Sequence, residues 1–150
     1  MSDELFNLIY NKSLDLLSRR EHSRKELKEK LLLRFQSDDM IQTVLDKLET
    51  NNLINELRFA EAYTRSRKRK GFGPKKIFYE LSSKGIKESV SNQVILDEGN
   101  WDTVAKLAFI KKFKNGPSEE IKQKLKQKNF LQNRGFGFKE IESVFTNDML

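Results

Sequence analysis

The sequence predicts an all-α protein, a tandem array of three three-helix repeats forming an elongated molecule, and three observations carry that prediction. The first is an interval of fifty residues that runs through the chain three times. Leu31, Leu81 and Leu131 match, as do Arg34, Lys84 and Arg134; Val44, Val94 and Val144; Leu45, Ile95 and Phe145; and Ile9, Phe59 and Phe109. Self-similarity at this length marks a supersecondary unit that buries its apolar face by stacking on neighbours, and the resulting array offers a long outer surface. The second observation is periodicity. Met40, Ile41, Val44, Leu45 and Leu48 share one face of a helix with 3.6 residues per turn, and so do Trp101, Val104, Ala105, Ala108, Phe109 and Phe113. Neither stretch alternates as a strand would. The third is a set of capping and turn signals at regular places.

These signals predict helices over 4–19, 23–34 and 38–50 in a first unit of residues 1–54. A second unit, 55–100, carries helices over 55–70, 74–84 and 88–98, and a third, 101–150, carries 101–114, 118–134 and 138–148. Ser23 and Glu26 have the spacing of a capping box, in which hydroxyl and carboxylate each satisfy a free backbone N–H at a helix start. Ser37 precedes Asp38 and Asp39, whose charges suit the positive end of a helix dipole. The two prolines follow glycines, in Gly73-Pro74 and Gly116-Pro117, and a proline costs least in the first turn of a helix, where the N–H groups lack partners anyway. Each is therefore expected to open the middle helix of its unit. They lie forty-three residues apart rather than fifty, so the middle helix of the third unit should start early and run longer.

Composition narrows the function classes. The chain has 150 residues and a net charge of +7, which favours an acidic partner such as nucleic acid without proving one. There is no cysteine, which excludes disulfides, thiolate metal sites and cysteine catalysis. Met1 is followed by Ser2-Asp3-Glu4 rather than a basic leader, and no apolar run is long enough for a signal peptide or a membrane span. A cytoplasmic protein with no membrane partner is expected, present as a monomer.

Catalytic equipment is missing. The single histidine, His22, lies at a helix junction with no second histidine or cysteine to share a metal, and is expected to be an exposed junction residue. Carboxylates are interleaved with basic residues at helical spacings, as in Glu26 with Lys30 or Glu61 with Arg65, and such pairs support a helix rather than form an acid/base dyad. Gly71-Phe72-Gly73-Pro74 lacks the remainder of a nucleotide-binding fingerprint. The expectation is a protein that is not an enzyme and has no cofactor and no metal.

What remains is a surface. Between residues 65 and 76 lie Arg65, Arg67, Lys68, Arg69, Lys70, Lys75 and Lys76 with no acidic residue among them. Steps of about 100° per residue place Arg58, Arg65 and Arg69 in one solvent-facing stripe, with Phe59, Tyr63 and Ser66 turned toward the core. In the next helix Ile77, Phe78 and Leu81 form the buried side and leave Tyr79 outside, one turn from Lys75. An exposed tyrosine beside lysines can anchor a protein or stack on a base. A solvated basic face with an incidental tyrosine explains the same spacing equally well. The lysines at 111, 112, 114, 122, 124, 126 and 128 are more scattered, and solubility accounts for most of them.

Several segments together resemble a known family. Leu17-Ser18-Arg19-Arg20-Glu21-His22-Ser23, Glu26-Leu27, Lys30-Leu31 and Val44-Leu45-Asp46-Lys47-Leu48 are similar to the opening of the RecX regulatory proteins of bacteria. Arg58-Phe59-Ala60-Glu61-Ala62-Tyr63, Arg65-Ser66-Arg67, Gly71-Phe72-Gly73-Pro74, Ile77, Glu80-Leu81 and Lys84-Gly85-Ile86 resemble that family's central signature. Phe130-Leu131-Gln132-Asn133-Arg134-Gly135-Phe136 resembles its closing motif. The likeness runs over about residues 14 to 145 and weakens between 87 and 129. Glu56 stands where aspartate is expected and keeps the charge, whereas Asn133 stands where arginine is usual and removes one.

The resemblance implies a bent, elongated molecule of three-helix repeats that regulates RecA, the recombinase that polymerises on single-stranded DNA. Such proteins lie in the groove of the RecA–DNA filament, restrain ATP hydrolysis and strand exchange, and damp coprotease action on the SOS repressor. Combined with the basic cluster, it gives a candidate contact set of Arg19, Arg20, Arg24, Arg58, Arg65, Arg67, Arg69, Lys70, Lys75, Lys76, Tyr79, Lys84 and Arg134. The expected partner is the RecA filament, with single-stranded or double-stranded DNA as a further one. The alternative is a helical nucleic-acid-binding protein acting directly on DNA, since three-helix units with a basic face resemble helix-turn-helix modules. Base readout calls for asparagine, glutamine or arginine near the start of a recognition helix, and Lys75-Lys76 fits phosphate or carboxylate contact better.

Overall fold

The computed structural model describes residues 2–146, and among them every regular element is an α-helix. In chain order these are α1 (Ser2–Arg19), α2 (Arg24–Leu32), α3 (Asp38–Thr50), α4 (Glu56–Arg69), α5 (Pro74–Ser83), α6 (Glu88–Glu98), α7 (Trp101–Lys112), α8 (Ile121–Asn133) and α9 (Phe138–Phe145). The helix expected over 138–148 thus ends at Phe145, and residues 147 and 148 lie outside the described part. Helix packing groups α1–α3, α4–α6 and α7–α9 into three bodies, each with all three of its helices in mutual contact.

The fifty-residue register is a register of cores. Ile9, Phe59 and Phe109 are buried at equivalent places, as are Leu31, Leu81 and Leu131, and Val44, Val94 and Val144. Each triplet closes around its own apolar cluster, and Trp101 is the side chain packed against two of them. The whole chain exposes 9817 Å². A compact chain of 17.7 kDa would expose roughly 7,900 Å². The excess is what three small bodies in a row produce, each leaving its flanks in water.

Helix starts follow the capping chemistry of the sequence. Ser23 Oγ accepts the Glu26 N–H at 3.1 Å, and Glu26 Oε1 accepts the Ser23 N–H at 3.1 Å. Ser37 Oγ accepts the Met40 N–H, and Asn55 Oδ1 accepts the Arg58 N–H at 2.8 Å. Pro74 opens α5 as expected. Pro117 does not open α8: that helix starts at Ile121, and Gly116, Pro117 and Ser118 form part of the connection before it. The Gln127 side chain from within α8 holds this connection, donating to the Gly116 carbonyl at 3.2 Å and accepting the Ser118 N–H at 3.0 Å. With its backbone groups satisfied by a side chain, the segment has no need of helical bonds. Even so α8, at 13 residues, is longer than α5, at 10.

The joints between bodies follow one rule. In the second and third repeats the turn after the middle helix, Lys84-Gly85-Ile86 and Arg134-Gly135-Phe136, docks on the start of the preceding repeat's middle helix. Lys84 Nζ reaches Glu26 Oε2 at 3.1 Å, and Lys25 Nζ donates to the Ser83 carbonyl at 2.9 Å. At the second joint the contact is made by backbone: the Gly73 N–H donates to the Arg134 carbonyl at 2.8 Å and the Lys75 N–H to the Gly135 carbonyl at 2.9 Å. Gly135 has φ +98, and a Cβ there would lie 2.4 Å from Lys76 Cβ. Only glycine combines that left-handed conformation with so close an approach.

Candidate partner-binding surface

The thirteen candidate residues divide into those that hold the molecule together and those left to solvent. Arg24 is turned inward onto Gln42, Asp46 and Glu49 of α3. Arg20 forks onto Glu26, with contacts of 3.1 and 3.3 Å. Arg58 donates to Glu21 at 2.8 Å and to the Asn52 carbonyl at 3.0 Å, so the expected Arg58–Arg65–Arg69 stripe loses its first member to the joint with the first repeat. Arg67 forks onto Glu80 with two contacts of 2.8 Å, while Tyr63 donates to the same carboxylate at 2.8 Å. Burial would raise the Glu80 carboxyl, but the bonds from Arg67 and Tyr63 outweigh it and hold it below its ordinary range. Burial, followed by that same carboxylate, pushes the Tyr63 phenol up to about 12.

Phe72 gathers two more of the set beside Arg67. The guanidinium of Arg67 lies 3.9 Å from its ring centroid, that of Arg134 4.7 Å, and Lys76 Nζ 5.5 Å. Arg134 also donates to the Lys70 carbonyl at 3.1 Å. The repeated basic position is therefore a clasp in the second and third repeats, where Lys84 and Arg134 each reach back to the repeat before, whereas Arg34 in the first is exposed. The two local pairs named from the sequence do not form, although Asp15 pairs locally with Lys12 and Arg19. Glu26 meets Arg20 and Lys84 rather than Lys30, and Arg65 approaches Glu98 at 4.0 Å rather than Glu61.

The residues that stay outward are Arg19, Arg65, Arg69, Lys70, Lys75 and Tyr79, with Arg20 exposed as well despite its bond to Glu26. Arg19 has Asp15 as a helical neighbour at 3.1 Å, and Tyr79 is 78% exposed. Arg69, Lys70 and Lys75 enter no ion pair among the described residues. Lys111 and Lys112, which the sequence places among the scattered lysines, line one cleft with Arg69 and Lys70. Their position in the last turn of α7 gave no hint, because cations are common at helix C-termini for dipole reasons alone. Among the described residues no group of three or more His, Asp or Glu could hold a metal ion, and no helix is long and apolar enough to cross a membrane.

His22 is a correction. It is 1% exposed, with Nδ1 3.1 Å from the Arg20 carbonyl and Nε2 2.8 Å from Lys30 Nζ. A carbonyl only accepts and an ammonium only donates, so the ring is neutral with its proton on Nδ1. Burial lowers its proton affinity; the Arg20 carbonyl opposes this, and the charges of Arg20 and Lys30 add to the lowering. For the neighbouring Glu26, burial would raise the carboxyl, but bonds from Arg20, the Ser23 N–H and Lys84 bring it down to about 2. Both shifts are depressions, so both contributions to stability are complete at neutral pH and lost in acid. As pH falls below 6.5 the unfolded histidine takes its proton before the folded one, and below 4.5 the same holds for the carboxylate, down to about 2. Urea unfolding at a series of pH values should show two descending stages. His22→Gln should abolish the upper one, and an unchanged slope between pH 7 and 5 in that variant would remove His22 from the account.

The central motifs seen in the sequence now have a place. Gly71-Phe72-Gly73-Pro74 and Arg134-Gly135-Phe136 face each other across the second joint, and Lys84-Gly85-Ile86 faces the segment around Glu26 across the first. Family models extend this pattern: one described as the first three-helix domain of RecX matches residues 10–48, and one described as the second matches residues 55–95. The chain belongs to the RecX family. Its relatives named regulatory protein RecX include one from Halorhodospira halophila, 36% identical over 133 residues, covering 88% of this chain and 83% of the relative. Another, from Vibrio parahaemolyticus, is 36% identical over 130 residues, covering 86% and 84%. The crystal structure of RecX from Lactobacillus salivarius superposes with a TM-score of 0.78 at 25% identity, over 100% of both chains. A second RecX crystal structure, with a TM-score of 0.76 at 22% identity, covers 96% of this chain and 73% of its own and shares the fold.

Proposed function

We propose that this RecX protein restrains the RecA recombinase by lodging on the filament that RecA forms on single-stranded DNA, lowering its ATPase, strand-exchange and SOS coprotease activities. The observation that supports this most is a row of three small bodies, fixed to one another by their family motifs, that leaves cations at Arg65, Arg69, Lys70 and Lys75 and the ring of Tyr79 facing outward. Residues 1–54, 55–100 and 101–150 act as its three units, one monomer spanning neighbouring subunits of an extended anionic partner. Direct base readout on free DNA fits less well. The start of α5, which would have to enter a groove, is bonded to the turn of the third repeat.

The test is RecA's single-stranded-DNA-dependent ATPase. Inhibition below stoichiometry with RecA is the expected result, since halting filament growth affects many protomers at once. Tight duplex binding with no effect on RecA would reject the proposal. Reversing Arg65 and Arg69 to glutamate should leave melting nearly unchanged, because exposed charges contribute only ~0–1 kcal/mol. Filament binding should weaken and its salt dependence flatten as fewer counterions are released. Lys122→Glu with Lys126→Glu on α8 is the control, since Lys112, next to the cleft with Arg69, cannot serve as one. Wild-type affinity in Arg65→Glu with Arg69→Glu would reduce the stripe to a solvated face.

A further inference from the structure

The cleft between the second and third repeats is built unlike the rest of the surface. It has a volume of about 420 Å³ and runs between the end of α4 and the packed pair α7 and α8. Its floor is apolar, formed by Val104, Ala108 and Phe130, and its lip is Leu107, 65% exposed. Its walls carry Arg69 and Lys70 on one side and Lys111 and Lys112 on the other, none of them ion-paired among the described residues. No carboxylate lines it. Four unpaired cations gathered around an apolar slot repel one another, and an anionic occupant with an apolar side chain relieves that repulsion while covering Leu107.

We propose that this cleft is a docking site for an acidic peptide segment of a partner protein, one that inserts a leucine- or phenylalanine-sized side chain between flanking aspartates or glutamates. Charge complementarity selects the anion, and the slot selects the peptide. Single-stranded nucleic acid binds by laying bases on open aromatic faces. Here the aromatic ring of the cleft, Phe130, is covered by the Arg134 guanidinium at 5.2 Å and met by Phe113 at 5.4 Å in an edge-on contact, which leaves no stacking platform. The floor is otherwise aliphatic. This site shares Arg69 and Lys70 with the surface proposed to meet the filament but is separate from Tyr79 and Lys75, and its test does not depend on RecA.

Random dodecapeptides displayed on phage should be selected against the immobilised full chain. The expected consensus is one large apolar residue flanked by acidic ones. A fluorescent synthetic peptide of that consensus should bind with an affinity at least tenfold weaker in Lys111→Glu with Lys112→Glu, and likewise in Leu107→Glu, whose exposed position spares the core if the double variant folds poorly. Lys122→Glu with Lys126→Glu should stay within twofold of the parent, and a twenty-nucleotide oligothymidylate should not displace the peptide. A consensus lacking acidic or apolar residues, or binding that survives both cleft variants, overturns the proposal. So does oligothymidylate competing for the cleft with the same sensitivity to the variants, which makes it a nucleic-acid channel.

Discussion

Gly135→Ala is expected to separate the third repeat from the second while leaving the three cores intact. The added methyl would stand 2.4 Å from Lys76 Cβ and 2.6 Å from the Lys76 nitrogen, atoms fixed in the first turns of α5. A left-handed backbone costs a non-glycine residue roughly 1–2 kcal/mol. Overlap forced on a packed site adds about 1–3 kcal/mol. Hydrogen exchange should then report loss of protection at the Gly73 and Lys75 amides, whose acceptors are the Arg134 and Gly135 carbonyls. Gly85→Ala offers a graded comparison. It meets the side chain of Lys25 at 3.1 Å, which can swing aside, so its penalty should be close to the backbone cost alone. Parent-like protection at Gly73 in Gly135→Ala would show that the second joint is looser than its geometry.

Leu81→Ala should destabilise the second repeat strongly. Leu81 is fully buried in one cluster with Phe59, Ile77, Ile86 and Val94. Removing a leucine side chain from such a site costs about 2–5 kcal/mol, depending on how far the neighbours collapse. Leu33→Ala, at a position 85% exposed, should change stability by less than about 0.5 kcal/mol. Urea midpoints for the two variants decide the matter. If Leu81→Ala costs no more than Leu33→Ala, the repeat register does not mark the core.

The helices and their cores were legible because each repeat closes on itself. A core formed within about fifty consecutive residues writes its periodicity into that stretch, and Leu31, Leu81 and Leu131 share one environment as they share one register. What escaped the sequence was decided between elements. Glu26 has a lysine one turn away, but its carboxylate is held by Arg20 and by Lys84 from the next repeat, and spacing cannot show a partner 58 residues off. His22 looked like an exposed junction because the burial comes from the packing of other segments around it. Pro117 carried a helix-start signal that Gln127 overrode by bonding the loop from ten residues ahead. Of the basic cluster, position in sequence gave the density but not the division: Arg67 and Lys68 serve Glu80 and Glu98, and the outward charge of Arg69 and Lys70 is completed by Lys111 and Lys112.

The rule that joins the repeats is a head-to-tail one: a turn on one body fits the start of a middle helix on the body before it. A contact of that kind has no twofold symmetry to close it, and two complementary faces left at the ends of a chain would let copies add without limit into a filament of their own. The parts of that joint are missing from the outer faces of the first and third repeats. In the first repeat the turn reads Arg34-Phe35-Gln36, with no glycine and no left-handed residue, so it lacks the shape that Gly85 and Gly135 give to the others. In the third, α8 begins at Ile121, so the residues equivalent to Gly73–Lys76 lie inside a helix and present no open first turn to receive a plug. The outer faces of the first and third repeats therefore lack the left-handed turn and the open helix start from which the two inner joints are built.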